Sequence, residues 1–195
     1  MRVFGIDPGS TRTGYGCVES DGSRHRLVVC GALSPPAGAS FPDKLRTIHD
    51  GLTRHLRAAA PDIVVVENVF HAANARSALL LGQARGVALL AAVETGSPIV
   101  EYTPAEVKRA VVGYGRADKA QVQQMIKLLL GLDSVPAPHD AADALAIAIC
   151  HVHHLGPLAQ ASVAAAAGRR GRGATRSWRQ WRPSAARRGG PAGDD

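Results

Sequence analysis

The chain has 195 residues, of which 46% are hydrophobic, so it is long enough to bury one substantial core. Its formal net charge of +7 is uneven, because eight arginines and two aspartates in residues 159–195 contribute +6 and leave +1 for the rest, which excludes a uniformly basic domain. No apolar signal segment or run of about 18 apolar residues is visible, and the three cysteines are widely spaced, so we expect a cytoplasmic protein without a membrane span.

The composition divides the chain near Leu158. Residues 1–158 are expected to fold, whereas residues 159–195 are rich in arginine, glycine and alanine and cannot bury enough apolar surface to offset chain entropy. We therefore predict a disordered C-terminal tail. Its arginines, interleaved with Trp178 and Trp181, are suited to tracking phosphates and stacking on bases; a solvated extension without a fixed role is the alternative.

The first third of the chain is rich in β-forming residues and then turns helical. The predicted strands are Arg2–Asp7, Thr13–Glu19 and His25–Leu33, with a hairpin signal at Asp21-Gly22. A helix is predicted over Phe41–Ala59, because Ser40 can cap it and an apolar stripe recurs at helical spacing.

The rest of the folded part alternates strands and helices. The predicted elements are a strand Ile63–Glu67, a helix Ala75–Glu94, a strand Ile99–Tyr102, a helix opening at Thr103–Glu106, a helix Lys119–Leu130, and a helix from His139 to about His153. The strand that ends in Glu67 is aliphatic without alternation, which is typical of a strand covered on both faces between parallel neighbours. The predicted order of elements, βββαβαβααα, indicates an α/β fold.

Four acidic residues stand where an apolar chain would not ordinarily tolerate them. Asp7 and Glu67 end strands, and Asp140 and Asp143 open a helix, where a spacing of three places them on neighbouring turns of one face. Each alone is a weak signal, because Asp-x-Gly turns and acidic first turns are common. If the two strands are neighbours and the helix crosses their carboxyl ends, the four acids meet.

A cluster of four carboxylates predicts a metal centre. Such anions repel one another unless they bind multivalent cations or take up protons. Oxygen ligands without paired histidine or cysteine favour Mg²⁺ or Mn²⁺ over Zn²⁺. Two ions about 4 Å apart would activate a water, hold a scissile phosphate and stabilise the leaving oxygen.

Five segments, in the same order, closely resemble motifs of the RuvC family of Holliday-junction resolvases. They are Gly5-Ile-Asp7-Pro-Gly9-x-x-x-x-Gly14-Tyr-Gly16, Glu67-x-Val69-Phe70, Leu81-Gly-Gln-Ala-Arg-Gly-Val87, Val107-Lys108-x-x-Val111-Val-Gly113 and Asp140-Ala-Ala-Asp-Ala-Leu-Ala146, between residue 1 and about 155. The resemblance implies an RNase H-like α/β fold, with a five-stranded mixed sheet flanked by helices.

The same resemblance implies a structure-selective endonuclease that resolves four-way DNA junctions in recombination and repair. Paired, symmetric, metal-dependent hydrolysis would leave 5′-phosphate and 3′-hydroxyl nicks. Asp7, Glu67, Asp140 and Asp143 match the catalytic, metal-binding acids, although some family members have histidine at the position of Asp140. The implied cofactor is Mg²⁺, two ions per active site with Mn²⁺ able to substitute, and the implied partners are a second copy of the chain and the branch-migration proteins RuvA and RuvB.

Five residues are candidates for holding DNA. Phe70 precedes a small, polar run, and an exposed aromatic beside a nuclease centre can stack on an unpaired base, as the family's phenylalanine does there. Lys108 and Lys119 match basic residues that the family uses near the junction, and Arg116 lies between them in the chain. Arg76 is a weaker candidate. For each cation the alternative is a solvated surface charge.

The predicted helix Ala75–Glu94 carries a stripe of small residues, Ala78, Gly82 and Gly86, within an almost wholly apolar surface. A helix that is apolar on most sides is expected to be buried on most sides, against the sheet and against a second subunit. A two-fold homodimer would suit the cutting of two symmetric strands.

Two other functions remain open from the sequence. Actin-like ATPases and sugar kinases share this fold and begin with a strand followed by Asp-x-Gly-x-Thr, which Asp7–Thr11 fits loosely. The chain is short for the two lobes of those enzymes, and no second phosphate loop is visible. A non-catalytic junction-binding protein is the other alternative, although four clustered anions would only hinder a protein that merely binds phosphates.

Overall fold

A computed structural model describes residues 1–68 and 74–167 of the chain, with side chains as far as residue 156. Its elements in chain order are β1 Arg2–Asp7, β2 Thr13–Ser20, β3 His25–Leu33, α1 Phe41–Ala59, β4 Ile63–Glu67, α2 Ala75–Val93, β5 Ile99–Tyr102, α3 Pro104–Val112, α4 Lys119–Leu129 and α5 His139–Ala167. Each predicted element is present, and the bounds that were predicted agree to within about one residue, except at the end of α5. The predicted tail, residues 159–195, overlaps the last residues of α5, and its part beyond residue 167 lies outside the described residues.

The five strands form one mixed sheet in the order β3-β2-β1-β4-β5. The first three strands are antiparallel neighbours, whereas β1, β4 and β5 run parallel to one another. Ile6 pairs with Val66 in the register of β1 and β4, so Asp7 and Glu67 follow on neighbouring strands at the same sheet edge. The predicted mixed sheet is confirmed, and so is the placement of these two acids.

Alternation along β1 and β4 divides the core into two layers. Val3 and Val65 face a cluster built on α3, α4 and α5, whereas Phe4 and Val64 face a cluster built on α1 and α2. Both strands are therefore buried on both faces, as their aliphatic composition predicts.

Capping residues fix where several helices begin. The Ser40 side chain accepts a hydrogen bond from the backbone N–H of Asp43 at the start of α1, and Thr103 forms a capping box with Glu106 at the start of α3. A second capping box joins Asp118 and Gln121 and fixes the first residue of α4 at Lys119. The position of Lys119 is thus set by its neighbour.

Helix α5 continues past the predicted end near His153 to Ala167. Gly156 has non-helical angles within it, with φ 61° and ψ 163°, so the helix bends there and resumes. Resumption has a local cause, because Pro157 suits a first helical turn and the following alanine-rich run favours helix.

Helix α2 is less buried in the single chain than its composition predicts. It packs through Ala84, Ala88, Ala91 and Ala92, whereas Leu79 is 67% exposed. The small-residue stripe at Ala78, Gly82 and Gly86 lies on the exposed side, and a Cβ added to either glycine would meet nothing within 4 Å. By length and composition alone α2 is also long and apolar enough to cross a membrane, a test that core helices pass too.

Candidate active site

Asp7 and Glu67 point to the same side of the sheet. Each lies an even number of residues after a side chain that faces α5, Val3 in β1 and Val65 in β4. Because their strands are hydrogen-bonded neighbours, the two carboxyls come close enough to interact directly, and the charge of Glu67 adds to burial in raising the pKa of Asp7. The first pair of predicted site residues is therefore assembled by strand register alone.

Three glycines bring the second pair of acids down onto this edge. A Cβ added at Gly14 would lie 2.0 Å from the backbone oxygen of Asp140, and one at Gly5 would lie 2.1 Å from that of Ala144. A Cβ at Gly16 would meet the Leu145 side chain at 2.8 Å. The first turns of α5 thus lie directly on the backbones of β1 and β2, at a separation that no side chain would permit.

The electrostatics around Asp7 show that all four acids share one site. The pKa of Asp7 is raised to about 8, chiefly by burial and then by the charges of Glu67, Asp143 and Asp140. The pKa of Glu67 is also raised, first by burial and then by Asp143. At neutral pH the raised pKa of Asp7 favours its protonated form, which can donate a hydrogen bond to the carboxylate of Glu67. The predicted quartet is brought together.

Two basic side chains of the protein form ion pairs with Asp143 and Asp140. Nζ of Lys119 lies 2.6 Å from Oδ2 of Asp143, and Nη1 of Arg12 lies 3.3 Å from Oδ2 of Asp140. Asp143 and Asp140 are partly accessible, at 18% and 27% of their side-chain surface. Lys119 also lowers the pKa of both Asp7 and Glu67, so it acts as a counterion for the whole cluster.

The donor set fits divalent cations. Four carboxylates share one sheet edge, and the pKa values of Asp7 and Glu67 are raised by burial and by neighbouring anions, which is the behaviour of acids that lack sufficient positive charge nearby. Among the described residues, no three acidic, histidine or cysteine side chains already surround a common point. Asp140 and Asp143 are instead paired with Arg12 and Lys119.

The other predicted DNA-binding residues fall in three classes. Lys108 on α3 is close enough to lower the pKa of Glu67, so it borders the acids. Arg116 is exposed in the loop between α3 and α4, and Arg76 is exposed in the first turn of α2. Phe70 lies outside the described residues. For all of these, contact with DNA stays a prediction.

Three residues of the site escaped the sequence interpretation. Thr13 is fully buried and its hydroxyl donates to the carbonyl of Gly9 at 2.9 Å, which fixes the loop after Asp7. Gln123 of α4 lies 2.9 Å from Nδ1 of His139 and steadies the start of α5. Arg12 reaches Asp140 across 128 positions of sequence. The contacts of Arg12 and Gln123 carry no sequence signal, because each joins segments that only the fold brings together, whereas the Thr13–Gly9 contact is local.

Comparisons with known proteins identify the family of the chain. The family model described as crossover junction endodeoxyribonuclease RuvC matches residues 3–151. A protein of that name from Chloroflexus aggregans is 53% identical over 153 residues, which are 78% of this chain and 93% of the relative. Another from Syntrophotalea carbinolica is 54% identical over 160 residues, covering 81% of this chain and 99% of the relative.

Solved structures give the same result. "T. thermophilus RuvC in complex with Holliday junction substrate" superposes with a TM-score of 0.76 at 35% identity, covering 82% of this chain and 97% of that one. The yeast mitochondrial Holliday junction resolvase Ydc2 shares the fold at 15% identity, with a TM-score of 0.55, and covers 84% of this chain and 82% of its own. The predicted RNase H-like fold is confirmed, and the chain belongs to the RuvC family of crossover junction endodeoxyribonucleases.

Proposed function

We propose that this protein resolves Holliday junctions by hydrolysing phosphodiester bonds symmetrically in two strands of four-way DNA. The observation that carries the proposal is the four-carboxylate cluster of Asp7, Glu67, Asp140 and Asp143 at one sheet edge, in a chain of the RuvC family. A relative at 35% identity is named as a RuvC in complex with a Holliday junction substrate, which supports the choice of DNA structure.

The four acids are proposed to hold divalent cations, which supply Lewis-acid activation of water and neutralise charge at the scissile phosphate. We propose two Mg²⁺ ions, with Mn²⁺ able to replace them, because all the ligands are hard oxygens. Asp7 and Glu67 would give up the proton they share and present two anions. The chain thereby exchanges a proton for metal charge at the same buried point.

Lys119 and Lys108 are proposed to hold the scissile strand. Lys119 stands in the first turn of α4, close to Asp143, and Lys108 stands on α3 near Glu67, so both place positive charge beside the acids without joining them as ligands. Contacts of this kind fix the position of a phosphate and carry little sequence information. Arg116, Arg76 and Phe70 are proposed to contact the junction farther out.

The exposed stripe of α2 is proposed to pair with the same stripe of a second copy. Ala78, Gly82 and Gly86 would allow two helices to approach closely, and Leu79 and Leu90 beside them are 67% and 53% exposed. Such a self-complementary, uncharged face suits a two-fold homodimer that presents two active sites to two strands. Association with RuvA and RuvB and location in the cytoplasm are proposed from the family resemblance.

The experiment that tests the function offers the protein a synthetic four-way junction, the matching linear duplex and ATP, each with Mg²⁺ or EDTA. We expect paired nicks in the junction alone, dependent on Mg²⁺ and closed by DNA ligase because the ends are 5′-phosphate and 3′-hydroxyl. Equal cutting of linear duplex would overturn the structure selectivity. ATP hydrolysis without DNA would favour the actin-like ATPase alternative, and binding without cleavage would favour a junction-binding protein.

The dimer is tested separately by light scattering after size-exclusion chromatography. Leu79→Glu places a charge in the proposed contact and should give monomers, whereas Leu128→Glu alters an equally exposed leucine on α4, 70% accessible, and should leave the dimer intact. A wild-type monomer at micromolar concentration would contradict the proposed pairing.

A further inference from the structure

A cleft of about 550 Å³ opens next to Asp140, and the reaction proposed above does not use it. It lies between the loop that follows β1, the connection from β3 to α1 and the first turn of α5. Its polar lining residues are Thr11, Arg12, Ser34 and Lys44, and Asp140 forms one edge. Two cations and two hydroxyls therefore face one open space beside a proposed metal ligand.

The guanidinium of Arg12 is only partly committed to its protein contacts. Nε donates to the Ser34 hydroxyl at 3.2 Å, and Nη1 donates to Asp140 at 3.3 Å. A guanidinium carries five N–H donors in a fixed fork, and the Arg12 side chain is 50% exposed. Its position is thus fixed by Ser34 and Asp140, while donors remain for a ligand in the cleft.

The position of Lys44 is unfavourable for the stability of helix α1. It stands in the first turn of α1, where the helix dipole disfavours a positive charge. Within the described part of the chain, no carboxylate lies within ion-pair distance of its ammonium group, whereas Arg46 on the same helix pairs with Asp43. A ligand with negative charge would account for this lysine.

We propose that the Arg12–Lys44 cleft binds a backbone phosphodiester of the junction, on the strand that also passes over the four acids. This inference rests on the proposed function. The cleft is open and not a closed pocket, so a strand can run through it, and the Thr11 and Ser34 hydroxyls can donate to a phosphate oxygen beside the two cations. Arg12 then joins the cleft to the catalytic centre, because it contacts Asp140.

The cleft gives the enzyme a second hold on the cleaved strand. Lys119 approaches the acids from α4, and Arg12 approaches them from the loop after β1, so the two cations reach different members of the quartet. A strand held at both points is fixed in direction as well as in position. Arg12 and Lys44 are therefore positioning residues, since they act on the strand and not on the reacting atoms.

The test measures how junction binding depends on salt, with Asp7→Asn present throughout to prevent cleavage in Mg²⁺. Replacing both Arg12 and Lys44 by alanine should reduce the slope of log K against log [salt] by about 0.9 for a lost duplex phosphate, or about 0.7 for a single-stranded one. The matched control replaces Arg24 and Arg57 by alanine, which removes the same charge. Both residues are exposed and lie outside the cleft. It should leave the slope unchanged.

Methylphosphonate linkages identify the phosphate. A neutral linkage placed at successive positions of the strand should weaken binding at one position near the cut in the parent protein, and should have no further effect there in the Arg12/Lys44 variant. Equal slopes in parent and variant, or identical methylphosphonate profiles, would overturn the cleft assignment. If the unmodified protein fails to cut junctions at all, the proposed function fails instead, so the two failures are distinguishable.

Arg12→Lys separates charge from fork geometry. The lysine keeps the positive charge but cannot bridge Ser34 and Asp140 in the same way, so we expect a parental salt slope with a weaker preference for the one phosphate. A slope as low as that of the alanine variant would contradict a charge contact at this position. Thermal unfolding of each variant should match that of the parent, because both side chains are at the surface.

Discussion

The two edges of the sheet at the amino and carboxyl ends of β1 place carboxylates in opposite electrostatic environments. At the amino end of β1, Glu19 accepts hydrogen bonds from Arg26 and Arg2, and these contacts hold its pKa below the ordinary value. At the carboxyl end, burial and neighbouring anions raise the pKa of Asp7 to about 8. The first edge neutralises its charge within the chain and contributes to stability. The second leaves a deficit of positive charge, which a reaction can use.

The largest expected effect comes from removing one anion at the deficient edge. Asp7→Asn should lower junction cleavage by at least about a thousandfold, because metal-centred stabilisation of the transition state is worth several kcal/mol. The control is Glu19→Gln at the opposite edge, which should change cleavage less than about twofold and stability by less than about 1 kcal/mol. Single-turnover cleavage of the junction gives the rate of each variant. An active Asp7→Asn enzyme would contradict the assigned centre.

A smaller loss is expected when the two halves of the deficient edge are forced apart. Gly14→Ala adds a methyl group 2.0 Å from the Asp140 backbone oxygen, so α5 must move away from β2. We expect a cleavage rate lower by about a hundredfold, since a shift near 1 Å can cost that much, with the fold retained. Gly38→Ala adds the same methyl where nothing lies within 4 Å and should cleave normally. Equal rates in the two variants would show that the close helix approach is unimportant.

Removing the internal counterion of the deficient edge should have a still smaller effect. Lys119→Met breaks the 2.6 Å contact with Asp143; because Lys119 is 67% exposed, solvent reduces the contribution of this contact to about 1 kcal/mol, so cleavage should fall roughly fivefold. The pKa of Glu67 should also rise, because Lys119 lowers it. The pH at which cleavage reaches half its maximum should therefore move upward, a shift that lost phosphate binding alone would not produce.

The last prediction compares the pH dependence of stability in EDTA. The folded pKa of Asp7, about 8, exceeds its unfolded value of 3.8, so its proton-linked stabilisation is complete below pH 3.8 and is lost as the pH rises toward 8. Chemical denaturation should show wild type losing stability relative to Asp7→Asn over this window, by up to about 1.4 kcal/mol per pH unit for each proton released. Glu19, whose folded pKa is lowered, contributes in the opposite direction as the pH falls.

The order and bounds of the elements could be predicted because each carries its own local signal. Capping residues, prolines and strand alternation act within a few positions, so the strand ending in Asp7 and the capping box at Thr103 are visible in the sequence. Asp7 and Glu67 could be paired because parallel strands bring like ends together. The alignment of these two acids follows from the register between β1 and β4 alone.

The rest of the site depends on contacts between distant segments. Nothing near Arg12 in the chain indicates that it reaches Asp140, and nothing near Gln123 indicates His139. The exposed stripe of α2 shows a different limit, since apolar composition predicts that a surface is covered but not by which molecule. The continuation of α5 beyond Gly156 was not predicted, because glycine disfavours helix and the helix resumes only after a bend at this residue.

The glycines beneath α5 carry no functional atoms, yet they set the depth at which two of the four acids sit. In a saturation-mutagenesis screen for activity, Gly5 and Gly14 should tolerate few substitutions, second only to the acids, although neither would touch substrate. The same holds for protein design. A grafted quartet on another sheet would stand a methyl group too far apart unless the bare backbone beneath the helix were transferred with it.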